Sequence, residues 1–256
     1  MSIFSVLVLA VVQGLTEFLP VSSKTHLLFA RHFLGTTERV DLFFDIMLHA
    51  GSLLAIVVYY RKAWGILLRE RRKEVLLLAL GSVPLVLAGL LLRRHLDPAY
   101  RNLTLASGML LVTAAWLFVS EKLSRERHGL LEAPLWKILL VGLAQACAVL
   151  PGISRSGSTI GAGYLVGLKR EESVRFSFFL GAVAILGALV FLGKEAIESQ
   201  ARVDLLPIGI GIAVSFGVSL AAIKVVEKLS VRGRFSWFAL YCAAAGVAGL
   251  IYFGRG

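Results

Sequence analysis

Six long apolar stretches constrain what this chain can fold into. Each is close to the roughly 20 residues that a helix needs to cross a bilayer, and they lie at 42–60, 75–92, 103–119, 174–193, 205–223 and 235–253. Hydrophobic residues make up 57% of the 256 residues, and charged residues make up only 17%, against about 25% in a soluble domain. The sequence therefore predicts an all-α integral membrane protein, with one membrane domain over 1–256 and no soluble domain.

Two further apolar stretches, 3–34 and 135–167, are each interrupted near the middle. The first is broken at Pro20 and the second at Pro151 and Gly152, so each half is too short to cross a bilayer. Irregular backbone is tolerated at membrane depth only where protein buries it or where it lines a watery cavity. We therefore predict two re-entrant helical hairpins, each with its polar tip inside the protein.

The two halves of the chain resemble each other. The sequence "PVSSKT" at 20–25 aligns with "PGISRS" at 151–156, and 44–62 aligns without gaps with 176–194, with six of nineteen positions identical. Each half, 1–128 and 129–256, then contains one hairpin and three spans. Because three is odd, the second half must enter the membrane from the opposite side. The sequence thus predicts an inverted-topology repeat, a plan that places binding sites near the midplane.

The distribution of Lys and Arg orients the predicted spans. Of 27 such residues, 17 fall in the loops on one side and 8 fall on the other. The richer side comprises 61–74, 121–137, 168–175 and 224–234; the poorer side comprises 31–41, 93–102, 194–204 and the C-terminus. The positive-inside rule makes the richer side cytoplasmic and places both termini outside. The same rule accounts for the net charge of +11 without nucleic acid as a partner.

The two cations left over, Lys24 and Arg155, lie at the two hairpin tips. Glu17 is next to the first tip, and ionisable groups within a membrane are costly and usually mark function. Hydroxyl groups surround both cations: Ser23, Ser154, Ser156 and Thr159. Arginine can bind phosphate with two hydrogen bonds and lysine acts as a point charge, so the two tips together predict an anion site that suits phosphate.

Alternatives remain open for individual residues of the first tip. Gln13 and Glu17 are four apart and share a helix face, and Glu17 could bind a metal ion, accept a proton or only form an ion pair with Lys24 or Arg155. Ser23 could be a nucleophile or a helix N-cap.

The histidines and the second tip are equally open. His26 could move protons or simply pack, and Asp45 with His49 is interpreted mainly as a structural polar pair. In the second tip, the hydroxyl groups of the turn could hydrogen-bond to their own backbone. The cation Arg155 indicates that this is not the only role of the turn.

Taken together, "QGLTEFLPVSS" with the following His26, "PGISRSGST" and "FDIMLHAGSLLAIVVYYRK" resemble the undecaprenyl-diphosphate phosphatases of the bacitracin-resistance type. The resemblance covers nearly the whole chain. It implies hydrolysis of a polyprenyl diphosphate to the monophosphate and inorganic phosphate, which recycles the lipid carrier of cell-wall peptidoglycan synthesis in the bacterial cytoplasmic (inner) membrane. It further implies a site open to the outer face, a divalent cation such as Mg²⁺ or Ca²⁺, and a homodimer.

Carried over by position, the resemblance assigns roles to tip residues. It implies that Glu17, Ser23, His26 and Arg155 are catalytic and that Glu17 holds the metal. The residues expected to bind the phosphate groups are Gln13, Ser154, Ser156 and Thr159, together with Lys24, which is expected from its alignment with Arg155 and not from the family. Lys24 and Thr25 depart from the family pattern, which has a small or hydroxyl residue and then Gly, and Lys24 adds a cation beside Ser23. The alternative function is transport or flipping of a polyprenyl phosphate, which an inverted repeat with broken helices also suits.

Overall fold

The structure of the chain, a computed structural model, describes residues 2–36, 42–96, 102–198 and 205–254. Within these ranges it consists of eleven α-helices and no β-sheet, apart from one isolated bridge between His128 and Leu168. The helices are α1 (Ile3–Thr16), α2 (Ser23–Phe33), α3 (Leu42–Tyr59), α4 (Arg61–Glu70), α5 (Arg72–Leu96), α6 (Leu103–Lys122), α7 (Leu135–Cys147), α8 (Arg155–Leu165), α9 (Arg170–Glu198), α10 (Leu205–Val231) and α11 (Ser236–Phe253).

Five helices of the described chain, α5, α6, α9, α10 and α11, are long and apolar enough to cross a bilayer. A sixth span is added if α3 and α4, which meet at a bend of 77°, are counted as one. The chain is therefore a multi-pass membrane protein. By contrast, α1, α2, α7 and α8 have 11 to 14 residues, and 14 residues rise only about 21 Å against a hydrocarbon core of about 30 Å.

The segment 61–74 contains a helix, α4, where the sequence was interpreted as a loop. One apolar face of this helix packs on the protein: Leu67 is buried, and the Trp64 ring stacks on Phe179 with 4.3 Å between ring centroids. Its basic residues, including Arg61 and Lys62, are exposed. The loop prediction was wrong because charge density was weighed above this amphipathic pattern.

Each short first helix packs against a long helix of the other half of the chain. Helix α1 lies along α10, and α7 lies along α5. Small residues permit these close approaches: a Cβ at Gly14 would lie 2.8 Å from the Ser215 carbonyl oxygen, and a Cβ at Gly142 would lie 2.7 Å from the Gly81 carbonyl oxygen. Small residues are the usual means of helix association in lipid. The two halves are consequently interlocked rather than side by side.

The two tips, 17–22 and 148–154, meet in the interior between the long helices. Phe18 packs edge-on against Phe178 of α9, and Ser156 Oγ donates to the Leu19 carbonyl oxygen at 3.1 Å. The boundary predicted at 128 and 129 falls in the connection between α6 and α7. Parts of the predicted outer loops, 37–41, 97–101 and 199–204, lie outside the described residues, as does the end of the chain.

Candidate active site

Glu17 is the centre of the tip cluster. It directly follows α1, its N–H donates to the Gln13 carbonyl oxygen at 3.0 Å, and its side chain is buried. Gln13 Nε2 donates to Glu17 Oε2 at 2.9 Å, so the shared helix face predicted from their spacing is confirmed. A buried carboxylate is costly unless other groups satisfy it, and the remaining contacts of Glu17 come from elsewhere in the chain.

Ser23 reaches Glu17 from the start of α2. Its Oγ donates to Glu17 Oε2 at 2.8 Å, so its hydroxyl is not used as a helix cap. The N-cap position belongs to Ser22, which makes no side-chain capping hydrogen bond and has φ of 69°. Among the described residues other than glycine, Ser22 alone has a positive φ. This strained turn directs the Ser23 hydroxyl back towards Glu17, and such strain tends to occur at functional sites.

Arg155 brings the second hairpin to the same carboxylate. It is the first residue of α8, and its Nη2 donates to Glu17 Oε1 at 2.6 Å. The ion pair expected between the two tips is therefore present. Arg155 Nη1 is buried and has no hydrogen-bond partner in the described part of the chain. A buried charged donor without a partner is expensive, and it is the group that an incoming anion would satisfy.

A further residue, His49, also approaches Glu17. Its Nε2 lies 3.5 Å from Glu17 Oε2, and Lys24 follows Ser23 in the first turn of α2. The Lys24 side chain is exposed, whereas Glu17 is buried. Arg155 of the second hairpin therefore pairs with Glu17, and an anion site formed jointly by Lys24 and Arg155 remains a prediction.

His49 is the residue whose part in the site the sequence underestimated. Its Nδ1 lies 2.7 Å from the Asp45 carbonyl oxygen, so its contact is with the Asp45 backbone, and the Asp45 carboxylate pairs with Arg31 instead. The sequence repeat contained an indication of this role, because the alignment pairs His49 with Gly181. In the structure, Gly181 contacts Arg155. Equivalent positions of α3 and α9 therefore face the two tips.

His26 is near the tip but points away from Glu17. Its Nδ1 lies 2.9 Å from the Ser22 carbonyl oxygen and its Nε2 lies 2.8 Å from the Tyr241 hydroxyl. Because a carbonyl only accepts, Nδ1 is the donor, which leaves Nε2 of a neutral ring to accept from Tyr241. These contacts hold the strained turn at Ser22. A catalytic role for His26 remains a prediction, and Tyr241 was not identified from the sequence.

The hydroxyls of the second tip brace the backbone. Ser154 caps α8 by accepting from the Gly157 N–H at 3.1 Å, and Ser156 donates to the first tip as described above. Thr159 Oγ1 donates to the Arg155 carbonyl oxygen at 2.9 Å and lies 2.5 Å from Ser177 Oγ. The alternative of a turn that satisfies its own backbone therefore accounts for much of this motif. Phosphate binding by Ser154, Ser156 and Thr159 remains a prediction.

The donor set around Glu17 fits a hard divalent cation only in part. No group of three His, Cys, Asp or Glu side chains in the described residues could hold a metal ion. However, Gln13 Oε1 is buried without a partner among the described atoms, next to the Glu17 carboxylate. Mg²⁺ commonly binds through one or two carboxylates together with substrate phosphate oxygens. One carboxylate and one orphaned amide oxygen match that pattern.

The fold and the tip cluster define a class: a polytopic helical membrane protein in which a serine and an arginine hydrogen-bond one buried glutamate. The family model described as "Bacitracin resistance protein BacA" matches residues 6–248, and the chain belongs to that family.

Relatives named "Undecaprenyl-diphosphatase" match almost end to end. The relative from Rhodopirellula baltica is 42% identical, over 94% of this chain and 95% of the relative. The relative from Desulfosudis oleivorans is 38% identical, over 93% of this chain and 94% of the relative. The relative from Korarchaeum cryptofilum is 37% identical, over 97% of this chain and 98% of the relative.

Proposed function

We propose that this protein hydrolyses undecaprenyl diphosphate to undecaprenyl phosphate and inorganic phosphate. The observation that carries the proposal is that one buried carboxylate, Glu17, accepts hydrogen bonds from both the Ser23 hydroxyl and the Arg155 guanidinium. A hydroxyl held by a base beside a cation is the arrangement that activates a nucleophile for phosphoryl transfer. The name shared by the relatives supports the same reaction and substrate.

In the first step, Ser23 Oγ attacks the terminal phosphorus while its proton passes to Glu17 Oε2. A new O–P bond forms, the bond to the bridging oxygen breaks, and the lipid monophosphate leaves with the electron pair. Arg155 Nη1, which is free of partners in the described chain, donates to the phosphoryl oxygens as their charge develops. Lys24 adds a second cation from the opposite hairpin.

In the second step, water attacks the phosphorus of the phosphoserine. The O–P bond to Ser23 breaks, the Glu17 proton passes to Ser23 Oγ, and both protons of the water leave with inorganic phosphate. Burial of Glu17 at the meeting point of the tips limits bulk water, and this strengthens each electrostatic contact.

A divalent cation would be held by Glu17 and by the orphaned Gln13 oxygen, together with oxygens of the diphosphate. When bound, it would neutralise charge on the diphosphate. The side chains around it orient the substrate and hold the proton of Ser23.

The proposal extends to the membrane arrangement. We place the loops richer in Lys and Arg in the cytoplasm, both termini outside, and the chain in the bacterial cytoplasmic membrane. The four short helices form two re-entrant hairpins, and six spans complete the inverted repeat. A homodimer is proposed from the family resemblance alone.

Transport of a polyprenyl phosphate is the competing function. The interlocked halves and broken helices suit it. Transport has no need of a serine hydroxyl hydrogen-bonded to a buried carboxylate at 2.8 Å, and the names of the relatives do not favour it.

The test is phosphate release from undecaprenyl diphosphate by the purified protein, with and without EDTA. Glu17→Gln, Ser23→Ala and Arg155→Ala should each lower turnover by about 10²-fold or more, because each loses charge stabilisation or the nucleophile itself. Ser82→Ala is the matched control, since the buried Ser82 hydroxyl only donates to Leu78 of its own helix.

Chelation should abolish release, and Mg²⁺ should restore it. Near-full turnover in all three tip variants would remove the tip from catalysis and leave transport as the better explanation.

A further inference from the structure

A second basic cluster lies about one hairpin length from the tips, where α8 ends and α7 begins. Its groove encloses about 350 Å³, and the lining residues are Arg125, Arg127, Trp136, Lys137, Leu140, Leu165, Val166 and Gly167. Three of the eight lining residues are cationic, four are apolar and one is glycine. It belongs to the side of the molecule that carries most of the Lys and Arg, and the proposed chemistry at Glu17 does not use it.

The positive charge of this groove is not neutralised. Within the part of the chain that the structure describes, neither Arg125 nor Arg127 makes a salt bridge, and both are exposed. The nearby acids are engaged elsewhere: Glu121 accepts from the Phe235 and Ser236 N–H groups, and Glu126 pairs with Arg170.

Two further acids of this region are engaged as well, whereas Glu171 in the first turn of α9 is exposed. Glu132 accepts from the Gly129 N–H, and Glu172 accepts from the Leu130 N–H and pairs with Arg175. The cations of the groove therefore face outward as an uncompensated set.

Lys137 is fixed in position and retains one donor. Its Nζ donates to the Val166 carbonyl oxygen at 2.7 Å and lies 2.8 Å from His128 Nε2. An ammonium group has three N–H donors, so one remains for a ligand. The backbone of the groove is also held in place, since the Arg127 N–H donates to the Gly167 carbonyl oxygen at 2.9 Å. The groove is thus preorganised.

An apolar stripe leads away from the groove along α7. Trp136, Leu140 and Leu143 are spaced by four and three residues and so share one helix face, and they are 60%, 44% and 50% exposed. Trp136 and Leu140 are also groove residues. A tryptophan at the start of a hydrophobic helix is typical of the membrane–water interface, so the stripe faces acyl chains and the cations face headgroups.

We propose that this groove binds the phosphate headgroup of an anionic membrane lipid, with an acyl chain lying along the Trp136–Leu143 face of α7. The charge complementarity selects a phosphate that carries net negative charge, and the adjoining stripe selects a ligand with a tail. Basic pockets between helices at the membrane surface are a recognised form of lipid site. The site is separate from the tips and independent of the proposed hydrolysis.

The test is native mass spectrometry of the purified full chain with dioleoyl phosphatidic acid, dioleoyl phosphatidylcholine, glycerol 3-phosphate or inorganic phosphate. The variant is Arg125→Gln with Arg127→Gln. The matched control is Lys224→Gln with Lys228→Gln, which removes two exposed charges from α10, a helix that packs on α1, α3 and α9. A thermal melt confirms that both double variants are folded.

The unmodified chain and the control should retain one more phosphatidic acid than the arginine variant, whose apparent Kd for that lipid should rise by roughly thirtyfold. All three proteins bind the same amount of lipid at the tips, so that lipid does not affect the difference in retention between them. Equal retention by both double variants, or equal retention of phosphatidylcholine, would refute the site. Full displacement of the lipid by glycerol 3-phosphate or inorganic phosphate at equal concentration would refute the tail contact and leave a free-anion site.

Discussion

Gly181 offers a way to move Arg155 without altering any polar group of the site. A Cβ at Gly181 of α9 would overlap the Arg155 guanidinium, with Cζ at 2.9 Å and Nη2 at 3.0 Å. Those distances are too short for real contacts, so Gly181→Ala must push the guanidinium aside. The displaced group is the far end of a flexible side chain, and the backbone therefore need not shift.

The cost to catalysis follows from the contacts that Arg155 would lose. Its Nη2 is 2.6 Å from Glu17 Oε1, and its Nη1, which lies against Gly181 and has no partner among the described residues, is the donor that the proposed mechanism assigns to the phosphate. Loss of one preorganised donor typically lowers turnover by about 10²-fold, or about 2.7 kcal/mol in activation free energy. We therefore expect phosphate release by Gly181→Ala to fall about 10²-fold. Its melting temperature should fall less than that of Arg155→Ala, because alanine favours the helix by up to about 1 kcal/mol.

The same helix supplies the control. Gly187 is exposed, and a Cβ there would meet nothing within 4 Å, so Gly187→Ala should retain full turnover. Phosphate release and thermal melts on the two variants, side by side, test the reasoning. If Gly181→Ala is folded and as active as Gly187→Ala, the position of Arg155 is not needed for the reaction, and the mechanism given for it is wrong.

Three other predictions concern the first tip and the topology. Lys24→Ser should weaken substrate binding by roughly tenfold, seen as a rise in KM, since one charged contact to phosphate is lost; increased turnover would mean that Lys24 silences the carboxylate instead. Ser22→Gly should keep turnover within about twofold because glycine accepts the positive φ, whereas Ser22→Val should lose stability by about 1–3 kcal/mol; equal melting temperatures would disprove strain at this turn. In a background without the exposed Cys147, a cysteine replacing Ile66 should be protected from external labelling and one replacing Glu198 should be reached, and the reverse pattern would overturn the orientation.

The sequence predicted the membrane class and the pairing of the tips because both depend on local or repeated patterns. Apolar length decides which helices can span, and the excess of Lys and Arg was assigned to loops until only Lys24 and Arg155 remained. The helix α4 was missed because the charge density of 61–74 was weighed above its amphipathic pattern, whereas Tyr241 could not be found from the sequence because it approaches His26 across 215 positions of chain.

The chain by itself indicated that Glu17, Arg155 and several hydroxyls must lie within the protein, because lipid cannot solvate them, whereas the structure leaves Lys24 exposed. Only the tertiary structure decided how they are divided. Glu17 accepts from Ser23 and Arg155, while Ser154, Ser156 and Thr159 turn to the backbone. Hydroxyls are interchangeable in a sequence pattern, but each can reach only the partners that the packing of the two hairpins brings within about 3 Å. The packing of helices that are far apart in the chain therefore decides which hydroxyl is the proposed nucleophile and which hydroxyls only support the backbone.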